Sequence, residues 1–305
     1  MFPEIKNLPG EIKKIDESLD GSAKFLIEFS DGLSVETVLL PFHKRATICL
    51  SSQVGCRMNC SFCLTGKQGL RRHLLSSEIL AQYLLVSHYL FKRDEENYRA
   101  PRIVFMGQGE PLHNFDELKE AIKSLLDPRK YALGPSQITV STVGYLPGLL
   151  RFNELGGVNL AFSLHSPIEA ERNEMIPIGR VYSLEEIMKS LEQIKLRRSQ
   201  YLNFEYLVLK DKNHSEEHAE KLAQLIKERK AFVNLIYFNP FEGSSFLRPS
   251  LEEVSLFKKK LVSKRVRVMV RESKGRDIMA ACGQLNSSHL KNKNLEKDNR
   301  HDEKL

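Results

Sequence analysis

The sequence predicts an α/β fold: a parallel sheet built from six β–α units in series, with a β-hairpin ahead of it. Two observations carry this expectation. Seven short apolar runs alternate with segments of helical pattern, and two alternating β-rich runs meet at Asp31-Gly32 before the series begins. The hairpin is "KFLIEFSDGLSVETVLL", residues 24–40, where Asp-Gly supplies the positive φ that a tight turn needs. The strands of the series are "ATICLSS", "RIVFMG", "QITVST", "NLAFSLH", "LNFEYLVL", "FVNLIYF" and "RVMVRE". Between them, "SSEILAQYLLVSHYLF", "FDELKEAIKSLL", "LPGLLRFNEL", "SLEEIMKSLEQI", "SEEHAEKLAQLIKE" and "SLEEVSLFKKKLV" read as helices. Ser183-Leu-Glu-Glu and Ser250-Leu-Glu-Glu have the capping-box pattern that satisfies the free amides of a first helical turn. Strands linked by helices imply parallel pairing, but periodicity leaves open whether the sheet closes. Three regions are expected: a short segment with the hairpin at 1–45, the β–α series at 46–285, and a disordered charged tail at 286–305, which is nearly devoid of apolar residues.

Composition narrows the class. With 305 residues and 41% apolar content, the chain can bury a sizeable core. No apolar run reaches the roughly 18 residues that span a bilayer, and the N-terminus lacks the apolar core of a signal peptide. The expectation is a globular cytoplasmic protein with no membrane partner. The formal charge of +7 is unevenly spread: residues 258–276 hold nine Lys or Arg against a single acid, and "LRRHL" and "KLRRS" add smaller basic groups. Such a strip can neutralise several phosphates, and it can equally be a solvated helix face.

The cysteines carry the chemistry. Of five, three fall within eight positions in "VGCRMNCSFCLTG", at Cys56, Cys60 and Cys63. This spacing is poor for disulfides and good for a metal or cluster. The loop follows the first strand of the series, at the sheet edge where β–α folds collect their reactive groups. Zinc would need a fourth ligand, His43 or His73, whereas an iron–sulfur cluster held by three thiolates leaves one iron open.

The C-x3-C-x2-C spacing in this position resembles the radical S-adenosylmethionine (SAM) superfamily. The resemblance implies a [4Fe-4S] cluster on Cys56, Cys60 and Cys63, with SAM on the open iron and cleaved to a carbon radical by one electron. It further implies that SAM is held at other strand ends: by Gly109 and Glu110 in "MGQGEP", Ser141 in "VSTVG", Ser163, Leu164 and His165 in "FSLHS", and Asn239 in "YFNPFEG". Each has a plainer reading as a helix cap, a core histidine or an Asx turn before Pro240.

A longer set of motifs resembles one family within that superfamily. "VETVLLP", "RATICLSSQVGC", "GEPLHN", "STVG", "SLHSP", "MIPI", "EYLVLKDKNHS", "FNPFEG" and "DIMAACGQL" occur in the order and spacing of the RlmN/Cfr radical SAM RNA methyltransferases, over roughly residues 22–285. "SSQVGC" favours the RlmN branch. The resemblance implies a partial (β/α)6 TIM-like barrel with an N-terminal hairpin extension. It implies two SAM per turnover and methylation of an adenine ring carbon in 23S ribosomal RNA or transfer RNA. Carbon 2 follows from the RlmN branch, with carbon 8 the Cfr-like alternative; a radical SAM enzyme acting on a small molecule or peptide is the other reading kept open. Cys282 would carry the methyl group, Cys49 would release the product by forming a disulfide with Cys282, and Glu36 would accept the ring proton. A one-electron reductant such as flavodoxin is an implied partner. Two departures stand out. Only about 20 residues precede the hairpin, where relatives usually have a helical accessory domain, and Gln108 stands where Met is common.

Overall fold

The structure is a computed structural model that describes residues 7–42 and 45–287. The expected tail from 288 onward, and His43, lie outside the described residues. The chain opens with three antiparallel strands, β1 (Gly10–Glu17), β2 (Ala23–Phe29) and β3 (Ser34–Leu40). The hairpin of the sequence is β2 and β3, turned at Gly32 (φ +73°). β1, in a segment expected to be merely short, adds a third strand. β3 then pairs antiparallel with β4 (Thr47–Cys49), which starts the series.

After β4 come the short strand β5 (Gln53–Gly55), the cysteine loop, α1 (Leu64–Lys67) and β6 (Leu70–His73), which pairs with β5 in a separate two-stranded sheet. The chain continues through α2 (Ser76–Arg93), β7 (Arg102–Phe105), α3 (Phe115–Leu126), β8 (Ile138–Thr142), α4 (Leu146–Leu149) and β9 (Asn159–Ser163). It ends with α5 (Glu169–Met175), α6 (Leu184–Glu192), β10 (Leu202–Val208), α7 (Glu216–Ile226), β11 (Ala231–Tyr237), α8 (Leu251–Ser263) and β12 (Val268–Arg271). The expected helix "LPGLLRFNEL" is only the four-residue α4 and a 3-10 turn, Phe152–Leu155, that ends at Gly156 in the left-handed region; Gly148 within α4 weakens the helical preference of the segment. Ser183 and Ser250 do cap α6 and α8, each accepting the N–H of the Glu three residues on.

The ten-stranded sheet runs β1-β2-β3-β4-β7-β8-β9-β10-β11-β12, parallel from β4 onward, and β1 and β12 are its free edges. The barrel is therefore partial. Strand periodicity divides its two faces. One row, through Ile48, Ile103, Ile138 and then Phe162, Phe204 and Val233, is fully buried with the helices in the main core. The register partners on the other row are Cys49 and Val104, Ser141 and Ala161, then Ser163, Glu205 and Asn234. Polar and thiol side chains thus collect on the inner, helix-free face.

Candidate active site

The cysteine loop sits where the sheet's C-terminal edge meets α5. Cys56 and Cys60 are buried and Cys63 half-buried, in a small apolar cluster with Met58, Met175 and Phe238. Gly55, at φ +76°, starts the loop, and the Cys56 amide donates to Gly69 O (3.0 Å). Burial is the first cause that raises all three thiols, Cys56 to about 12, and the cysteines raise one another further: Cys63 acts on Cys56, and both act on Cys60. The three are thus mutual neighbours. Among the described residues, however, no three His, Cys, Asp or Glu side chains converge on a single metal ion. The three soft sulfur donors on one loop fit iron–sulfur chemistry. His73, one of the possible fourth zinc ligands, is engaged elsewhere: its Nδ1 pairs with Gln53 Nε2 at 3.0 Å and its ring packs edge-on against His113.

The expected SAM residues line the same edge. Gly109 has φ +101°, and a Cβ there would lie 2.6 Å from that of Gln53, so glycine is required. Its neighbour Glu110 is buried, accepting from Leu112 N (3.1 Å) with one oxygen and Val143 N (3.0 Å) with the other. Desolvation raises its carboxyl to about 7 despite these bonds, and its charge reaches Cys56 and Cys60. A cationic amine at this spot would restore the carboxylate. Ser141 and Ser163 are half-buried on the inner face, and their hydroxyls make no hydrogen bond among the described residues. Leu164 is wholly buried, so only its backbone can face a ligand. His165 sits at φ +60°; its Nδ1 accepts from Leu207 N (3.0 Å), which puts the proton of the neutral ring on Nε2. Burial, followed by the nearby Arg172, holds it neutral, with its pKa pulled down to about 3. Its ring packs edge-on against Phe62 of the cysteine loop. Asn239 is buried and engaged at both ends, Oδ1 accepting from Arg248 (2.8 Å) and Nδ2 donating to Tyr237 O (3.3 Å).

The last two cysteines and Glu36 also meet on the inner face. Cys49 packs with Val38, Ala280 and Leu285, and the Cys49 and Cys282 thiols are free but close enough to interact electrostatically. Burial raises Cys49 first, and Cys282 adds to it. Cys282 opens to solvent, yet protein surrounds it on enough sides to push its thiol up; Glu205 adds to that and Arg271 opposes it. The segment holding Cys282 is pinned from both sides. Gly283 O accepts from Leu64 N (2.8 Å), Leu285 O accepts from Thr65 Oγ1 (2.8 Å), and the Asn286 amide donates to Glu36 Oε2 (2.6 Å). Glu36 also pairs with Lys24 Nζ (3.0 Å), both side chains being nearly buried.

Comparison with known proteins gives the same picture. Residues 50–226 match the family model described as the radical SAM superfamily. The chain is 40% identical over 285 residues to the dual-specificity RNA methyltransferase RlmN of Nitratidesulfovibrio vulgaris, covering 92% of this chain and 78% of that protein. It is 42% identical over 292 residues to RlmN of Campylobacter jejuni, covering 91% and 81% respectively. The crystal structure of a radical SAM methyltransferase from Sphaerobacter thermophilus superposes with a TM-score of 0.85 at 35% identity, covering 92% of this chain and 82% of that one. The chain belongs to the RlmN family. It is a radical SAM RNA methyltransferase.

Three features of this RlmN-family chain were not visible in the sequence. Gln108, whose departure from Met has no evident consequence in the sequence, is a buried link: its Oε1 accepts the Glu36 amide (2.8 Å) and its Nε2 donates to Ser287 Oγ (3.2 Å). Glu205 and Asn234 share a hydrogen bond (2.9 Å) inside the barrel, while Glu205 Oε2 and Asn234 Oδ1 remain buried without partners. The basic strip is not one surface. Lys258–Lys260 lie on α8; Arg265 and Arg267 line a pocket of about 530 Å³ at the opposite end of the strands; Arg271, Lys274 and Arg276 lie on the segment leading to Cys282. The strip is thus divided among a helix, a turn and an edge strand with the segment after it. Among the described residues, no helix is long and apolar enough to cross a membrane.

Proposed function

We propose that this chain methylates carbon 2 of an adenine in RNA through a methylated Cys282. The observation that carries this reading is the placement of Cys282: its loop is tied to α1, directly after the three-cysteine loop, and its thiol is an electrostatic neighbour of both Cys63 and Cys49. In this reading Cys56, Cys60 and Cys63 hold a [4Fe-4S] cluster, and Glu110 with the strand-end residues Gly109, Ser141, Ser163, Leu164, His165 and Asn239 holds SAM. Together, bound cluster and SAM supply one-electron cleavage of SAM to a carbon radical able to take hydrogen from a methyl group.

An electron-poor ring carbon does not attack the methyl of SAM, whereas a thiolate does. Cys282, accessible from the inner face, takes a methyl group from one SAM by displacement. Loss of one hydrogen atom from that methyl to the SAM-derived radical would leave a methylene radical that adds to the adenine carbon, linking protein and RNA; the odd electron then on the ring must leave with the ring proton, and the oxidised cluster would be its acceptor. Glu36 takes the proton that leaves the ring; Asn286 N on one oxygen and Lys24 on the other hold its carboxylate and leave each oxygen a further lone pair to accept with. The Cys49 thiol then attacks the sulfur of Cys282: the S–S bond forms as the S–CH2 bond breaks, the leaving carbon takes up the proton the Cys49 thiol gives up and becomes the product's methyl group, and a Cys49–Cys282 disulfide is left for a cellular thiol to reduce. Arg271, Lys274 and Arg276 give the mouth a positive lining for phosphates.

The test is anaerobic reconstitution with SAM, a one-electron reductant such as flavodoxin, and either 23S ribosomal RNA or transfer RNA, followed by mass spectrometry of the digested nucleosides. 2-Methyladenosine is expected; 8-methyladenosine would move the reading to the Cfr-like alternative, and no methyladenosine from either RNA would refute both. Cys282→Ala should abolish product, and Cys49→Ala should accumulate covalently linked protein and RNA.

A further inference from the structure

Among the described residues, Arg172 is a buried cation that forms no ion pair. α5 carries it on the side that packs against the cysteine loop: one turn on, Met175 O accepts from Ser61 N (2.9 Å), and Met175 and Ile176 share an apolar cluster with Cys56 and Cys60. The residue is fully buried, with its guanidinium over the Phe162 ring at 5.2 Å from the centroid. Only Nη2 is engaged, donating to Val143 O (2.6 Å) and Ser163 O (3.4 Å) at the ends of β8 and β9. Nε and Nη1 are buried with no partner. Among the described residues no carboxylate pairs with it, and Glu169, the acid whose charge it feels, is exposed and accepts from Leu184 N instead.

Burying an unpaired charge is costly, and at neutral pH a guanidinium does not escape the cost by losing its proton. Burial pulls Arg172 down to about 10, which leaves it charged at neutral pH. The counter-charge must come from something seated in the site. The thiol whose charge reaches it is Cys60, the middle one of the three. A [4Fe-4S] core in its resting state, held by three thiolates, carries a net negative charge, which grows by one on reduction, and nearby positive charge raises the reduction potential of such clusters.

We propose that Arg172 is the buried counter-cation of the cluster, balancing the charge gathered at Cys56, Cys60 and Cys63 and favouring its reduced state. The inference rests on the cluster reading of these cysteines. Its role is to tune the site electrostatically, without reacting itself.

The test is a redox titration followed by electron paramagnetic resonance on anaerobically reconstituted full-length protein, with iron content measured in parallel. It compares wild type with Arg172→Gln, Arg172→Met and Arg172→Lys. At a fixed solution potential, the neutral variants should show a reduced-to-oxidised ratio at least tenfold lower, 59 mV for a one-electron couple. Arg172→Lys, which keeps the charge, should stay within a factor of three. Neutral variants that hold no iron while Arg172→Lys holds it at the wild-type ratio would support the same conclusion. Iron-loaded neutral variants with an unchanged ratio would overturn it, as would Arg172→Lys losing iron as completely as they do. A neutral variant that weakens SAM binding with the ratio unchanged would overturn it too, by assigning the guanidinium to the SAM carboxylate. Wild-type protein that takes up zinc and no iron would instead sink the cluster reading itself.

Discussion

Gly55→Ala tests how rigidly the cysteine loop is set. Gly55 has φ +76°, and a Cβ built on it would lie 1.9 Å from the carbonyl oxygen of Gly69, a backbone atom that also accepts the Cys56 amide. Gly32 has nearly the same φ, +73°, with nothing within 4 Å of its would-be Cβ, so Gly32→Ala reports the backbone penalty alone. That penalty is about 1 kcal/mol, which lowers the melting temperature by roughly 2–3 °C in a domain of this size. At Gly55, overpacking and the lost Cys56 hydrogen bond bring the total to about 3–6 kcal/mol, or roughly 6–15 °C. Because the Cys56 amide is what the clash displaces, iron retained after anaerobic reconstitution should also fall well below wild type in Gly55→Ala and not in Gly32→Ala. Thermal melts followed by circular dichroism, with iron analysis, measure both. A Gly55→Ala protein that melts within 3 °C of Gly32→Ala and holds full iron would refute the claim that the loop is fixed by this contact.

Other expectations follow from the same contacts. Without cofactors, Glu110 titrates near 7 in the folded protein and near 4.5 when unfolded, so the folded state binds the extra proton between these values. Its contribution to stability therefore falls as pH rises through that window, by about 3 kcal/mol. The difference in urea midpoint between wild type and Glu110→Gln should track that fall and flatten above it. Lys24→Met leaves the Glu36 carboxylate without its buried ion pair and should cost about 3–5 kcal/mol in urea unfolding; adding Glu36→Gln should recover at least half. Ser250→Ala removes the acceptor for Glu253 N at the start of α8 and should cost about 1 kcal/mol, read as a small drop in melting temperature with iron content unchanged.

The series of strands was legible because parallel strands are covered by helices and read as continuous apolar runs, as "RIVFMG" and "FVNLIYF" do. β1 was not, because "GEIKKIDE" is an edge strand whose only large apolar residues are Ile12 and Ile15. α5 was missed for a similar reason: "EAERNEM" is short and polar, and its one large buried apolar side chain is Met175. Openness of the barrel depends on what the two edges fail to pair with, which no local pattern encodes. In the site, the three clustered cysteines were legible from spacing alone, while the nearness of Cys49 to Cys282 was expected only by family resemblance. Gln108 and Arg172 were not legible at all. Their significance comes from strand register and burial, which place a glutamine beneath a strand 72 residues away and an arginine behind a cysteine loop.

The pinning of residues 283–286 between α1 and Glu36 makes two events in this protein thermodynamically reciprocal. Whatever free energy a seated cluster adds to α1 is passed through Leu64 and Thr65 to the segment that carries Cys282. On the proposed roles of these cysteines, linkage then requires that methylation of Cys282 change the affinity for the cluster by the same factor. On the same roles, loading of Cys282 and occupancy of the three-cysteine loop are thus one coupled equilibrium, and loss of iron would loosen the segment that carries Cys282.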